Sequence, residues 1–446
     1  MKHILKHIIL LTVSVAPVYL FAQMGEPYEM NINGVNVIVQ PSGNEIVEVR
    51  TIIKGGVQNY PASKAGIESL SLTALTECGT LKDDKNAFKN KLDKASAQMN
   101  GYTEMDYATF RMNCIKSDFE TVWQLYTDAM TIPKFDTKEF ERIKQDAVTV
   151  LRANESNPDY AIRRMAQQLA FAGKDYAKNP QGTIEIVSKL TSEETKKYYQ
   201  TIFNRNHLLI VIVGEIDKND LQQKVQSFLA KIPAGKPFTP KKESYAPSAN
   251  SMKYEEKEFA TNYIQGITSA PQPGTPDYDA FILAMRIFYN RHFVEIRSKN
   301  GLSYAPATWF SGGLTPYASI YVTTTDPNKY IVIARQLIDK VKKEGFKEEE
   351  LNNIKTVYVT QTYYQQETNS ALAGALASNE VINGNWRRAY TIKDDMKKVT
   401  LSDLNRVFNK YIGNITWAYR GDPKKVETKM YTQKELPQMP QEIKPL

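Results

Sequence analysis

Residues 295–305 read EIRSKNGLSYA, at the end of one apolar pattern and the start of another. Upstream, Phe281, Ile282, Met285, Ile287, Phe288, Phe293 and Ile296 recur at helical spacing, which predicts a helix over 277–297 with one buried face. Asn300-Gly301 supplies a left-handed stop, and Leu302 to Phe310 then reads as a strand. Arg297 is thereby expected on the last helical turn and Tyr304 on the following strand, near enough to address one point. A guanidinium offers a planar fork of donors and a phenol a neutral hydroxyl, a pair suited to a peptide carbonyl or the oxyanion formed from it. An Arg facing the helix dipole and a Tyr packed in a sheet account for the same residues without chemistry.

Working outward, the chain falls into two similar parts. Tyr107-Ala-Thr-Phe-Arg-Met and the helical pattern of 119–130 are repeated by Tyr317-Ala-Ser-Ile-Tyr-Val and 330–341. FDTKEFERIK at 135–144 is repeated by FKEEELNNIK at 346–355, and the run 190–217 by 399–422. The starts of the paired stretches stay 209 to 211 residues apart, a register that chance similarity would not hold. The predicted fold is therefore α+β, with two homologous domains at 23–232 and 251–435. Each is expected to be a mostly antiparallel sheet covered by helices on one face, its other face closed by the sister copy or a partner chain. Short turns predict antiparallel pairing of 30–39 with 45–53 and of 98–103 with 106–115. Residues 233–250, rich in Pro, Lys and Ser, read as a linker, and 436–446, with three prolines, as an extended tail.

Residues 1–22 combine Lys2 and Lys6 with an apolar stretch from Ile8 and end on Ala22, the layout of a signal peptide. Pro17 interrupts the run, which falls short of the ~20 apolar residues of a spanning helix. An exported, periplasmic chain with no membrane span after signal removal is expected. Losing the two lysines lowers the formal charge from +8 to +6. That excess is spread along the chain, and no basic stripe with interleaved aromatics marks a nucleic-acid binder. Cys78 and Cys114 could bridge or stay buried and free.

The duplicated α+β halves, the linker and R-x-x-x-G-L-x-Y at 297–304 resemble the pitrilysin/insulinase family of zinc peptidases. Further matches are Asn100-Gly-Tyr-Thr103 with Asp106 to Thr109, Lys64-Ala-Gly66, Asn157-Pro158 and Gly182-Thr183. The resemblance implies a zinc site from an inverted H-x-x-E-H and a distal Glu. Here Ser69, Leu72 and Thr73 stand where His, Glu and His would be, and Val150 falls at the distal Glu. Of four histidines, His3 and His7 lie in the signal segment, leaving His207 and His292 as packing or surface residues. No cofactor is expected in this chain.

In heterodimeric relatives one subunit carries zinc and the other contributes Arg and Tyr. By that resemblance this chain is the second kind, with Arg297 and Tyr304 acting in trans. Its partner would be a homologous H-x-x-E-H subunit holding the zinc, and its substrate an oligopeptide. Asn100, Tyr102, Thr103 and Gly301 are the residues the resemblance places around that peptide. The alternative is a non-catalytic scaffold or peptide-holding protein of the cell envelope. Gly301-Leu-Ser-Tyr-Ala305 is no nucleophile elbow, since it passes from helix to strand rather than the reverse, and no phosphate loop occurs. A zinc peptidase acting alone would purify with one equivalent of zinc. This sequence predicts none, and metal analysis of the purified chain checks it.

Overall fold

The computed structural model describes residues 25–364 and 366–435; the signal segment and the 436–446 tail lie outside them. Six strands form the first sheet: β1 (Tyr28–Ile32), β2 (Val35–Gln40), β3 (Ile46–Lys54), β4 (Gln98–Thr103), β5 (Tyr107–Ile115) and β6 (Leu208–Val213). Their spatial order is β1-β2-β6-β3-β5-β4. Five strands form the second: β7 (Ser251–Glu256), β8 (Asn262–Ser269), β9 (Ala307–Ser311), β10 (Tyr317–Thr324) and β11 (Thr416–Gly421), in the order β7-β11-β8-β10-β9. One pair in each sheet is parallel, β2 with β6 and β7 with β11, and the rest are antiparallel. The two orders correspond strand for strand, apart from β1.

The expected pairing of 98–103 with 106–115 is present, from Gln98 opposite Asn113 to Thr103 opposite Ala108. The expected pairing of 30–39 with 45–53 is not. Asn33 and Gly34 both take positive φ, 51° and 83°, and fold 28–40 into a hairpin of its own. β6 then inserts between β2 and β3.

Each sheet is closed on both faces, one of them by the other half of the chain. In β6, Leu208, Ile210 and Ile212 face the first half's own helices, whereas Leu209, Val211 and Val213 meet a helix of the second half, Asn369–Asn383. That helix presents Leu372, Ala373, Leu376 and Ala377 along one stripe, with Trp386 beyond it. Reciprocally, the first-half helix Pro158–Ala170 lies on β8 and β11 and buries Ile162 and Ala166 against Ile267, Tyr321 and Ala418. Both helices are firmly started. Asn157 accepts from the amides of Asp159 and Tyr160 ahead of Pro158, and Thr368 accepts from Ala371.

Polar contacts fix the joint. Asn369 accepts from Ser42 Oγ and Asn44 Nδ2, both at 2.9 Å, and donates to the Ile46 carbonyl at 2.6 Å. Buried Arg50, paired with Glu48 at 2.9 Å, donates to the Ser370 carbonyl at 2.7 Å. Asp106 accepts from Tyr176 at 2.6 Å and from the Leu314 amide of the second half at 3.1 Å.

Because each half completes the other, the halves should unfold together. Leu376→Ala, a second-half change at the first sheet, is expected to lower stability by ~2–5 kcal/mol. Denaturant unfolding should keep one transition by both tryptophan fluorescence and circular dichroism. Two resolved transitions would show that the halves are independent.

Candidate functional site

The 277–297 pattern forms an α-helix, Asp277–Phe293, that continues as a wider π-helical turn, Val294–Lys299. Asn300 donates its side-chain amide to the Glu295 carbonyl at 2.9 Å, and the Leu302 amide reaches the Ile296 carbonyl at 3.0 Å. Gly301 takes φ 59°, which a residue with Cβ would resist. Tyr304 is not on a strand as expected. Residues 302–306 form an irregular connection, and β9 starts at Ala307, directly after Pro306, where its register with Tyr321 begins.

Arg297 and Tyr304 nevertheless come together. The Arg297 guanidinium carbon lies 4.1 Å from the centre of the Tyr304 ring and 5.1 Å from that of Phe293. The two rings restrict the side chain while leaving its N–H groups free, at an interaction strength of ~0.5–1 kcal/mol each for exposed pairs. Among the described residues Arg297 has no carboxylate partner, and Tyr304 is 78% exposed. This is a donor pair made of a half-buried guanidinium and an exposed phenol. The sequence reading placed Phe293 in the apolar period of the helix and not beside Arg297, although its place four residues earlier on one helix face is the signal for that contact.

The helix Ile67–Glu77 carries Ser69, Leu72 and Thr73. Thr73 Oγ1 donates back to the Ser69 carbonyl at 2.9 Å, so its hydroxyl serves its own helix. Leu72 is fully buried beneath β4, and a Cβ at Gly101 would stand 2.6 Å from the Leu72 Cβ. Leucine thus fills the slot against a glycine that makes room for it. Val150, on the helix Thr137–Ser156, is 52% exposed. Two hydroxyls and two aliphatic side chains do not fit zinc, which takes thiolate, imidazole or carboxylate. Among the described residues no three His, Cys, Asp or Glu side chains gather as a metal set.

The remaining candidates are structural in their contacts. His292 is fully buried with Nε2 3.2 Å from the Tyr330 hydroxyl, and burial lowers its pKa to about 3. His207 stacks on Phe238 at 4.1 Å, and burial lowers it to about 4. Cys78 and Cys114 are buried and unbridged, their thiols pushed up to about 12 by burial. β4 lies at the edge of its sheet. On it, Asn100 accepts from Arg111 at 3.0 Å, the Tyr102 hydroxyl sits 3.4 Å from Arg50, and Thr103 Oγ1 is buried without a partner among the described residues.

Such a fold, two sister α+β halves with the metal positions replaced, defines a peptidase-like protein without the peptidase's own metal set. Residues 37–201 match the family model described as Insulinase (Peptidase family M16), and residues 189–358 that described as Peptidase M16 inactive domain. The chain belongs to the M16 family, as an inactive homologue. It is 20% identical to the Non-peptidase homolog YmxG of Helicobacter pylori, over 84% of this chain and 89% of that protein. The crystal structure of a peptidase M16 inactive domain from Pseudomonas fluorescens matches with a TM-score of 0.81 at 17% identity, over 89% of this chain and 98% of that one. The periplasmic protease PqqL from Escherichia coli gives 0.77 at 15% identity, over 94% of this chain and 48% of that one. No described helix is long and apolar enough to cross a membrane.

Beside Ser69, Glu68 is fully buried. Its Oε2 accepts from Tyr198 at 2.6 Å and from Asn59 at 3.0 Å, while Oε1 has no partner among the described residues. Burial pushes its carboxyl up to about 7 in spite of the two donors. The fold therefore favours the neutral acid: that stability is complete below the ordinary value of 4.5 and is lost as pH rises through about 7. Glu68→Gln is expected to raise the melting temperature at about pH 8 and to change it little at about pH 4.5. An equal shift at both pH values in thermal unfolding would contradict the assignment.

Proposed function

We propose that this chain is the non-zinc-binding subunit of a heterodimeric pitrilysin-type peptidase, exported to the cell envelope and inactive alone. Arg297 and Tyr304 would bind the substrate carbonyl and stabilise the tetrahedral oxyanion at the zinc site of a homologous H-x-x-E-H partner. The observation that carries this reading is the half-buried Arg297 guanidinium beside exposed Tyr304, without a carboxylate partner among the described residues. An Arg already neutralised by a carboxylate would have little field left for a substrate. Zinc, when bound in the partner, supplies Lewis-acid polarisation and an activated water.

The residues of this chain supply position and charge. Phe293 and Tyr304 flank the guanidinium carbon at 5.1 and 4.1 Å and restrict the side chain, whose planar fork of donors would serve the carbonyl oxygen. Tyr304 donates its phenolic proton as a hydrogen bond and keeps it. Gly301 sets the turn that fixes the spacing of the two. The edge strand β4, with Asn100, Tyr102 and Thr103, would receive an extended peptide as an added strand.

A scaffold or peptide-holding role in the cell envelope is the second reading, favoured by Leu72 seated against Gly101. That packing makes the metal helix a purely structural element. In a reconstituted complex with the partner subunit, Arg297→Ala and Tyr304→Phe should each lower kcat by ~10²–10³, as loss of an oxyanion donor does. Co-elution of the two subunits should be unchanged. Full peptide cleavage by both variants would hand the case to the scaffold.

A further inference from the structure

Gly182 and Thr183 border a cavity of about 420 Å³ at the joint between the halves, which the proposed peptidase role does not use. Tyr160, Arg164 and Asn179 line it from the first half, and Glu255, Lys257 and Arg420 from the second. Arg420 stands opposite Glu255 in the parallel β7–β11 register and donates Nε to Glu255 Oε2 at 2.6 Å. The other Glu255 oxygen takes Lys257 at 2.9 Å. Both oxygens of that carboxylate are thus engaged.

Along β11, Trp417 and Tyr419 pack into the second half's own core, whereas Ala418 joins the first half's. The alternation turns Arg420 toward the helix Pro158–Ala170 and Arg164 upon it. Arg420 is only 7% exposed, yet its Nη1 has no acceptor among the described residues. Arg164 donates to Gln167 Oε1 at 2.6 Å and to the Ala177 carbonyl at 2.9 Å, both neutral. Burial lowers its pKa, which marks how poorly its charge is solvated there. Two guanidiniums from opposite halves and Lys257 therefore face one cavity against Glu255 and the exposed Glu155. An excess of one positive charge remains, with a buried donor left over.

We propose that this cavity binds a compact oxyanion, a phosphate or a carboxylate, held by Arg420 and Arg164 across the joint. Such a ligand offers the acceptor that Arg420 Nη1 lacks and offsets the repulsion between like charges. Because its two anchors belong to different halves, it also fastens the halves to each other. The assignment is independent of the Arg297–Tyr304 role.

The test uses the full mature chain, with thermal unfolding and calorimetric titration at ionic strength matched by sodium chloride. The probes are inorganic phosphate, an N-acetylated tetrapeptide acid and the amide of that peptide. A saturable rise in melting temperature with one-to-one binding is expected for phosphate or for the peptide acid. Response to phosphate alone identifies a free phosphate site; response to the acid but not the amide identifies a peptide carboxylate site. Arg420→Gln and Arg164→Gln should each weaken binding about tenfold or more. If either fails to fold by circular dichroism, Lys257→Gln, on a half-exposed side chain, takes its place and should weaken binding in the same direction. No saturable response beyond matched chloride, or unchanged affinity in the folded variants, overturns the proposal.

Discussion

The structure depends on a reciprocal exchange of helices. A sheet of alternating strands buries one face against its own helices and leaves the other row of Val, Ile and Leu side chains uncovered. In this chain that second row is met by a helix from the sister half: Asn369–Asn383 on the first sheet and Pro158–Ala170 on the second. Small residues make the approach close. Ala373, Ala377 and Ala166 lie in the contacts, and a Cβ at Gly374 would stand 2.8 Å from the Arg50 guanidinium. Neither half retains a solvated apolar face once the other is in place.

Much of this architecture is written in the sequence, because duplication is a long-range signal that local context cannot blur. The spacing of Tyr107 from Tyr317 and of Phe135 from Phe346 gives two sister α+β units without reference to any propensity. What escaped is what duplication does not encode. Asn33-Gly34 splits the first strand run into a hairpin, a local turn signal that the longer alternating pattern concealed. The insertion of β6 between β2 and β3 joins residues some 170 positions apart, and period-two patterning says nothing about neighbours. The cover of the second face was left between sister copy and partner, since a hydrophobic stripe does not name its mate.

The site was legible in its residues and less so in its backbone. Arg297 and Tyr304 meet as their spacing implied, but through a π-helical turn and an irregular connection rather than an α-helix and a strand. The apolar period that fixes Ile296 in the core is insensitive to one extra residue in the final turn, so the widening left no trace in it. Ser69, Leu72 and Thr73 are the positions that the family resemblance sets against metal ligands. Their compensation by Gly101 was not legible, because it needs the packing of β4 on the Ile67–Glu77 helix to be known.

Stability and anchoring are thereby separated in this molecule. The positions that the resemblance sets against the family's metal ligands serve packing here: Leu72 is core, and Thr73 satisfies its own helix. Arg297 and Tyr304 went the other way. Their π-helical turn packs on its own half, against the helix Pro327–Glu344, through buried Ile296, and the Tyr304 ring projects outward. A tyrosine ring left 78% exposed removes little apolar surface from water, and a half-buried arginine with no carboxylate partner among the described residues gains no ion pair on folding. Folding alone therefore gives no reason for a guanidinium to be held between two rings at the tip of a helix. The proposed role, a carbonyl or oxyanion brought to that tip from outside the chain, supplies one.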